Sequence, residues 1–262
     1  MRLLIDVGNS AVKWAIVEGN ETPRAEFELH RGAMAGLSDR LWTAWQRRSA
    51  TAAPSTAIGC SVAGTAVVKE VDAAVQRLGL STRWVRSQPS FSGEFTLDNG
   101  YRDPGQLGAD RWHAMIGACH AALQSKRATS GDPLIVATAG TATTVDCIET
   151  AAGHFRFVGG CIAPGVRLML ESLASGTAGL PLAQGFGADF PVNTDDAIVS
   201  GVLDAQCGLI ERMIARCLAH TRRAPTLWLA GGHAALLAQR LRADGHTPII
   251  EDNLVLRGLA LR

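Results

Sequence analysis

Apolar and polar positions follow a regular order along this chain. Apolar runs of strand length fall near 2–7, 12–18 and 25–30. After them come a helix-spaced pattern near 34–48, a strand near 56–62, a helix near 65–79 and a strand near 82–86. A polar stretch containing Gly and Pro, from Ser87 to Gln106, reads as loop. The next helix spans 109–125, because Trp112, Met115, Ile116, Cys119 and Leu123 recur on one face. The second half repeats the order, with strands near 134–138, 142–149 and 154–162, a helix near 166–175, a loop and a long helix near 194–220. A strand at 226–230, a helix at 233–243, a strand at 247–250 and a short last helix complete it. This recurrence at half length predicts an α/β fold made by duplication, with lobes at 1–108 and 109–262 and a central cleft.

The 262 residues can build two such cores. Apolar residues make up 47% and charged ones 19%, which is globular composition, and the net charge of +1 exerts no pull toward nucleic acid or an anionic membrane. Arg47-Arg48 and Arg222-Arg223 are the densest basic spots. Both close predicted helices, where the helix dipole favours cations. The six cysteines, at 60, 119, 147, 161, 207 and 217, show no zinc or disulfide spacing and read as reduced, mostly buried thiols. A strand begins by Leu3 with no leader-like stretch before it, and no apolar run reaches the ~18 residues of a membrane span. A cytoplasmic protein is expected.

Two turns carry candidate chemistry. In LLIDVGNSAVKW the run Leu3 to Ile5 ends in Asp6, and Gly8-Asn9-Ser10 turns the chain into the next strand. Such a turn can bring backbone amides and hydroxyls to an anion, with Lys13 in reach of a phosphate and Asp6 holding a hydrated Mg²⁺. It also reads as an ordinary hairpin whose Asp bonds its own backbone. LIVATAGTATTVD is a looser copy in which Gly140 matches Gly8, Thr141 offers a hydroxyl, and Thr138 stands opposite Asp6. It reads equally as a buried strand with small residues for close packing.

In NGYRDPGQLGADRWHA, Asp110 and Arg111 open a helix downstream of Tyr101, the single tyrosine. The carboxylate could accept a hydroxyl proton while the guanidinium binds an anionic substrate end, or both could serve the helix N-terminus. GGCIAPG at 159–165 and LWLAGGHAALL at 227–237 place glycines between strand and helix, and Asn193 or Thr194 caps the long helix with Asp195 and Asp196 in its first turn. Capping alone accounts for those two carboxylates. No P-loop, GxGxxG, HExxH or GxSxG pattern occurs.

Taken together, DVGNSAVK, YRDPGQLGADR, AGTATTVD, GGCIAPG and the NT…AIVSG helix resemble, in register, the type III pantothenate kinases of the acetate-kinase, sugar-kinase, Hsp70 and actin superfamily. The resemblance implies duplicated actin-like, ribonuclease-H-like βββαβαβα lobes. It also implies ATP-dependent phosphorylation of the pantothenate 4′-hydroxyl, the first step of coenzyme A synthesis, by a homodimer. By the same resemblance Asp110 is the general base, and Tyr101, Gly108, Ala109, Asp110, Arg111 and Thr194 contact pantothenate. Asp6, Val7, Gly8, Asn9, Ser10, Ala11, Val12, Lys13 and Thr141 bind ATP, with Asp6 the Mg²⁺ ligand. Many relatives carry an aspartate at the position of Thr138 that binds a monovalent cation, K⁺ or NH₄⁺. The neutral threonine makes that requirement an open one here. The competing reading is a kinase-like nucleotide-binding accessory protein, and retention of both Asp6 and Asp110 favours the enzyme.

Overall fold

The computed structural model describes residues 1–18, 26–29, 36–48, 56–125, 131–151 and 153–262. The ends of the strand expected near 25–30 and the start of the helix expected near 34–48 lie outside the described residues. Chain contacts divide the protein into two compact units, Met1–Ala121 with Asn253–Arg262, and Ala122–Asp252.

The first unit is built on β1 (Arg2–Val7), β2 (Ala11–Val17), β3 (Glu26–Leu29), β4 (Thr56–Ser61) and β5 (Thr82–Trp84), in the order β3-β2-β1-β4-β5. β1 runs antiparallel to β2 and parallel to β4. Five of its six residues are buried, as a central strand covered on both faces requires. One face packs Leu3, Ile5, Val7, Trp14 and Ile16 against Leu37 and Leu41 of α1 (Leu37–Arg48) and Val71 and Val75 of α2 (Thr65–Gln76).

α3 (Ala109–Gln124) and α7 (Leu254–Ala260) also belong to this unit. Their backbones nearly touch: a Cβ on Gly258 would run into the carbonyl oxygen of His113, and one on Gly117 into that of Leu254. Only glycine permits such an approach.

The second unit contains β8 (Leu134–Ala139), β9 (Ala142–Ala151), β10 (His154–Pro164), α4 (Val166–Gly176), α5 (Thr194–Thr221), β11 (Thr226–Ala230), α6 (Ala234–Ala243) and β12 (Ile249–Ile250). Its strands lie in the order β10-β9-β8-β11-β12. β8 is antiparallel to β9 and parallel to β11, and β11 is parallel to β12. Order and direction repeat those of the first unit strand for strand, so the duplicated α/β fold expected from the sequence is present. The core here gathers Ile135, Ala137, Val145, Ile210, Leu229, Leu237 and Leu241.

One expectation needs correction. The stretch from Ser87 to Gln106 is not all loop: β6 (Ser90–Ser92) and β7 (Thr96–Asn99) pair as an antiparallel hairpin, and Pro104–Gln106 forms a single 3₁₀ turn. Phe91 and Leu97, opposite each other in the pairing, are both buried, but one apolar residue in a strand of three or four gives no alternation to read.

Candidate active site

In the first unit, three segments carry the predicted residues. Asp6 pairs with Lys13 across the β1–β2 hairpin, and the Gly8 amide donates to Ala11 O at 2.9 Å to close the turn. A side chain at Gly8 would crowd that carbonyl, which accounts for the glycine. Asn9 and Ser10 are exposed at the tip, Lys13 is half-buried, and Asp6, Val7 and Val12 are buried. On the other side of β1, Asp6 faces Cys60 of β4, whose thiol donates to Asp6 Oδ1 at 3.8 Å.

The third segment is the start of α3. Ser87 Oγ donates to Leu107 O at 2.6 Å and to Gly108 O at 3.3 Å, and Ala109 O accepts from His113 Nδ1 at 2.7 Å. These bonds fix the backbone from which Asp110 and Arg111 project. A Cβ on Gly108 would lie 2.6 Å from Asp110 Oδ1, so the glycine leaves the carboxylate its position. Arg111 is buried, donates from Nη1 to the Tyr101 hydroxyl at 2.9 Å, and places its guanidinium 5.6 Å from the Tyr101 ring centroid. Tyr101 is held in turn by its own amide, which donates to Asn99 Oδ1 at 3.1 Å.

The electrostatics connect these segments. Burial raises the Asp6 carboxyl to about 6. Lys13 draws it down, the nearby Asp110 charge pushes it up, and the Cys60 thiol lowers it. Two neighbouring carboxylates, one of them buried, form a place where a cation is favourable. Among the described residues no cluster of three or more His, Cys, Asp or Glu side chains could enclose a metal. One or two carboxylates, with water and phosphate completing the shell, suit Mg²⁺, so the residues present fit that ion.

In the second unit, the Gly140 amide donates to Ala142 O at 3.1 Å and Thr141 is exposed at the tip of the β8–β9 turn. Thr138 pairs with Thr144 on β9 and with Ala230 on β11, the position matching that of Asp6. The turn is enclosed by backbone: the Gly165 amide donates to Thr141 O at 2.9 Å and the His233 amide to Ala139 O at 3.1 Å. Thr194 opens α5, and Asn193 is its cap, accepting from the Asp196 amide at 2.9 Å.

Asp195 and Asp196 do more than favour the helix dipole. Asp195 Oδ1 accepts from the Gln184 amide at 3.1 Å and Asp196 Oδ1 from the Phe186 amide at 2.7 Å, which ties the preceding loop over the helix start. The bond from the Phe186 amide, and then the one from the Asn193 side-chain amide, hold the Asp196 carboxyl below its ordinary range. Thr194 stands on the wall of an open cleft of about 900 Å³ whose other walls include Met169, Leu173, Leu180, Val192 and Ile198.

Cys60, Ser87 and the loop-binding role of the Asp195-Asp196 pair escaped the sequence reading. Their partners lie 54, 20 and 10 or 11 residues away, and no local pattern marks them.

The repeated sheets and the glycine turns that follow β1 and β8 give the chain the duplicated α/β fold of the actin-like and sugar-kinase type. Over nearly their whole lengths, two solved structures share the fold. A Sinorhizobium meliloti protein described as a 2-dehydro-3-deoxygalactonokinase has a TM-score of 0.57 at 14% identity, covering 99% of this chain and 97% of its own. The ethanolamine utilization protein EutJ of Carboxydothermus hydrogenoformans has 0.52 at 12%, covering 99% and 88%. The type III pantothenate kinase family model matches residues 2–216. The type III pantothenate kinase of Laribacter hongkongensis is 41% identical over 99% of this chain and 97% of its own. That of Azoarcus sp. is 39% identical over 100% and 90%. The chain belongs to the type III pantothenate kinases.

Proposed function

We propose that this protein transfers the γ-phosphoryl group of ATP to the 4′-hydroxyl of pantothenate, the first step of coenzyme A synthesis, with Asp110 as the residue that orients the hydroxyl and accepts its proton. Family membership carries the activity, and the placement of Asp110 beside Asp6 at the fixed start of α3 supports its role. Phosphoryl transfer through a loose transition state is mainly positioning and charge neutralisation. The alcohol proton therefore leaves late, as the new P–O bond forms and the bond to ADP breaks, and an aspartate can take it.

Gly108, Ala109, Arg111, Tyr101 and Thr194 contact pantothenate in this reading. The buried Arg111, steadied by Tyr101, is suited to an anionic carboxylate. Residues Asp6 to Lys13 and Thr141 bind ATP, with turn amides and Lys13 toward phosphate. Mg²⁺ at Asp6 would supply charge neutralisation on the phosphates when bound.

The protein acts as a homodimer in this reading. Phe186, Phe190 and Val192, 82%, 91% and 95% exposed, give the second unit an apolar patch of the kind that marks an interface. Cytoplasmic residence is supported by six free cysteines and, among the described residues, by the lack of any helix long and apolar enough to cross a membrane.

The test is ADP release by purified protein with ATP and Mg²⁺, with and without pantothenate, alongside Asp110→Asn. Turnover that needs pantothenate and disappears in the folded variant supports the assignment. A near-normal rate in Asp110→Asn removes Asp110 as base, and a wild type that is folded yet inert returns the accessory-protein reading.

A further inference from the structure

Gln206 lies in the middle of α5, is 1% exposed, and takes no part in any motif of the sequence. Its amide is committed on both sides. Nε2 donates to Pro164 O at 2.8 Å and lies 2.9 Å from Met169 Sδ, while Oε1 accepts a short hydrogen bond from the Thr143 hydroxyl. The orientation of the amide follows from chemistry, since a carbonyl can only accept and the nitrogen must therefore face Pro164.

Both partners border the β8–β9 turn. Thr143 is the second residue of β9, two positions after Thr141, and Pro164 ends β10 just before Gly165. Gly165 in turn presses its backbone on the turn: a Cβ there would meet Gly140 O and come within 2.7 Å of Thr141 O. The β9–β10 ladder already sets Thr143 opposite Ala163 and Pro164 opposite Ala142, and the Gln206 side chain braces that pair from α5, through a buried bond to Thr143 and a part-buried one to Pro164.

We propose that Gln206 is a positioning residue for nucleotide binding, which steadies the Gly140-Thr141 turn by holding the paired ends of β9 and β10, at Thr143 and Pro164, to α5. The inference rests on the assignment of Thr141 to ATP. Without the brace, the turn keeps its bond to the Gly165 amide and the β9–β10 ladder but loses its hold on α5, and its amides and the Thr141 hydroxyl would meet the phosphates off their productive geometry. The start of α5, where Thr194 stands, is fixed independently by the Asn193 cap and the bonds from Asp195 and Asp196 to the loop. Pro164 and Met169, which Gln206 touches, also line the cleft beside Thr194, so pantothenate binding is expected to change less than ATP binding and not to be wholly spared.

The experiment compares steady-state kinetics of the wild type, Gln206→Met, Thr143→Val, Thr143→Ser and Thr141→Ala, with melting temperatures for each. Gln206→Met keeps length and volume but loses both bonds. Loss of a hydrogen-bonded link of this kind corresponds to a rise in KM for ATP of about tenfold, which should exceed any rise in KM for pantothenate. Thr143→Val should shift KM for ATP in the same direction, and Thr143→Ser, which restores the hydroxyl, should return it toward wild type.

A purely structural Gln206 would lower the melting temperature and the active fraction while leaving KM for ATP unchanged, which overturns the proposal. If Thr141→Ala raises KM for ATP and Gln206→Met does not, only the role of Gln206 fails. If neither does, the assignment of the turn to ATP fails and takes the proposal with it. Should Gln206→Met not fold, Thr143→Val and Thr143→Ser decide by the same criterion.

Discussion

Asp6 on β1 and Cys60 on β4 stand opposite each other in a parallel pair, and the Cys60 thiol donates to Asp6 Oδ1 at 3.8 Å. It is a weak bond for a buried carboxylate, and burial accordingly raises the Asp6 carboxyl from 3.8 to about 6. A folded pKa above the unfolded one means that ionised Asp6 opposes folding above pH 6. That cost fades as pH falls from 6 to 3.8.

Asp6→Asn should therefore raise stability at pH 7 in the absence of Mg²⁺, by up to about 3 kcal/mol for a shift of this size, while abolishing turnover. Urea unfolding at pH 7 and pH 4.5 checks it: the variant's advantage should shrink at the lower pH. A destabilised variant at pH 7 would refute the account of Asp6 as a strained functional carboxylate.

His113 shows the opposite sign. Burial pushes its imidazole from 6.5 down to about 4, partly offset by the bond to Ala109 O, with Arg262 adding to the depression. The unfolded chain binds the proton more readily, so the contribution is fully present above pH 6.5 and is lost as pH falls through 4. The size is about 3 kcal/mol. His113→Gln, which stays neutral and can still donate to Ala109 O, should flatten the fall in stability between pH 6.5 and 4.5. A fall identical to wild type would show that other groups govern it.

The approach of α3 and α7 predicts that Gly258→Ala is poorly tolerated, because its methyl would meet the His113 carbonyl. Overpacking of this kind costs about 1–3 kcal/mol, and α3 begins with Asp110 and Arg111. Thermal unfolding and KM for pantothenate should both worsen. Gly232→Ala, whose added Cβ meets nothing within 4 Å, is the control expected to change neither.

Thr138→Asp places a carboxylate at the position matching Asp6 in the second unit, where Thr138 faces Thr144 across the hairpin. Potassium dependence should appear or strengthen. Rates in sodium-only and potassium buffers measure it, and an unchanged profile would count against charge at this position as the determinant.

The duplicated order of elements was readable because each central strand is a mostly apolar run, broken near its end by Asp6 in β1 and Thr138 in β8, and followed by a turn glycine, Gly8 or Gly140. Asp6, Asp110 and Arg111 could be singled out because each stands where a strand ends or a helix begins, although a hairpin turn and a helix N-terminus also use such residues. The β6–β7 hairpin was not, since strands of three and four residues carry too little periodicity. Gln206 was invisible for a different reason. Its partners, Thr143 and Pro164, lie 63 and 42 residues back, and a glutamine inside a helix reads as surface until the fold buries it.

The order of synthesis adds a consequence of the way the first unit is put together. α7 packs Leu254, Leu256 and Leu259 into a unit whose other residues end at Ala121, so all of Ala122–Asp252 is made in between. A ribosome emits this chain from its N-terminus, and the second unit has its whole sequence available before the first does. The nascent first unit must wait with the seat of α7 uncovered, including the backbone of Gly117 that only a close helix can cover. Its contacts are among the most distant in the chain, and their closure is the slow step that topology predicts for folding.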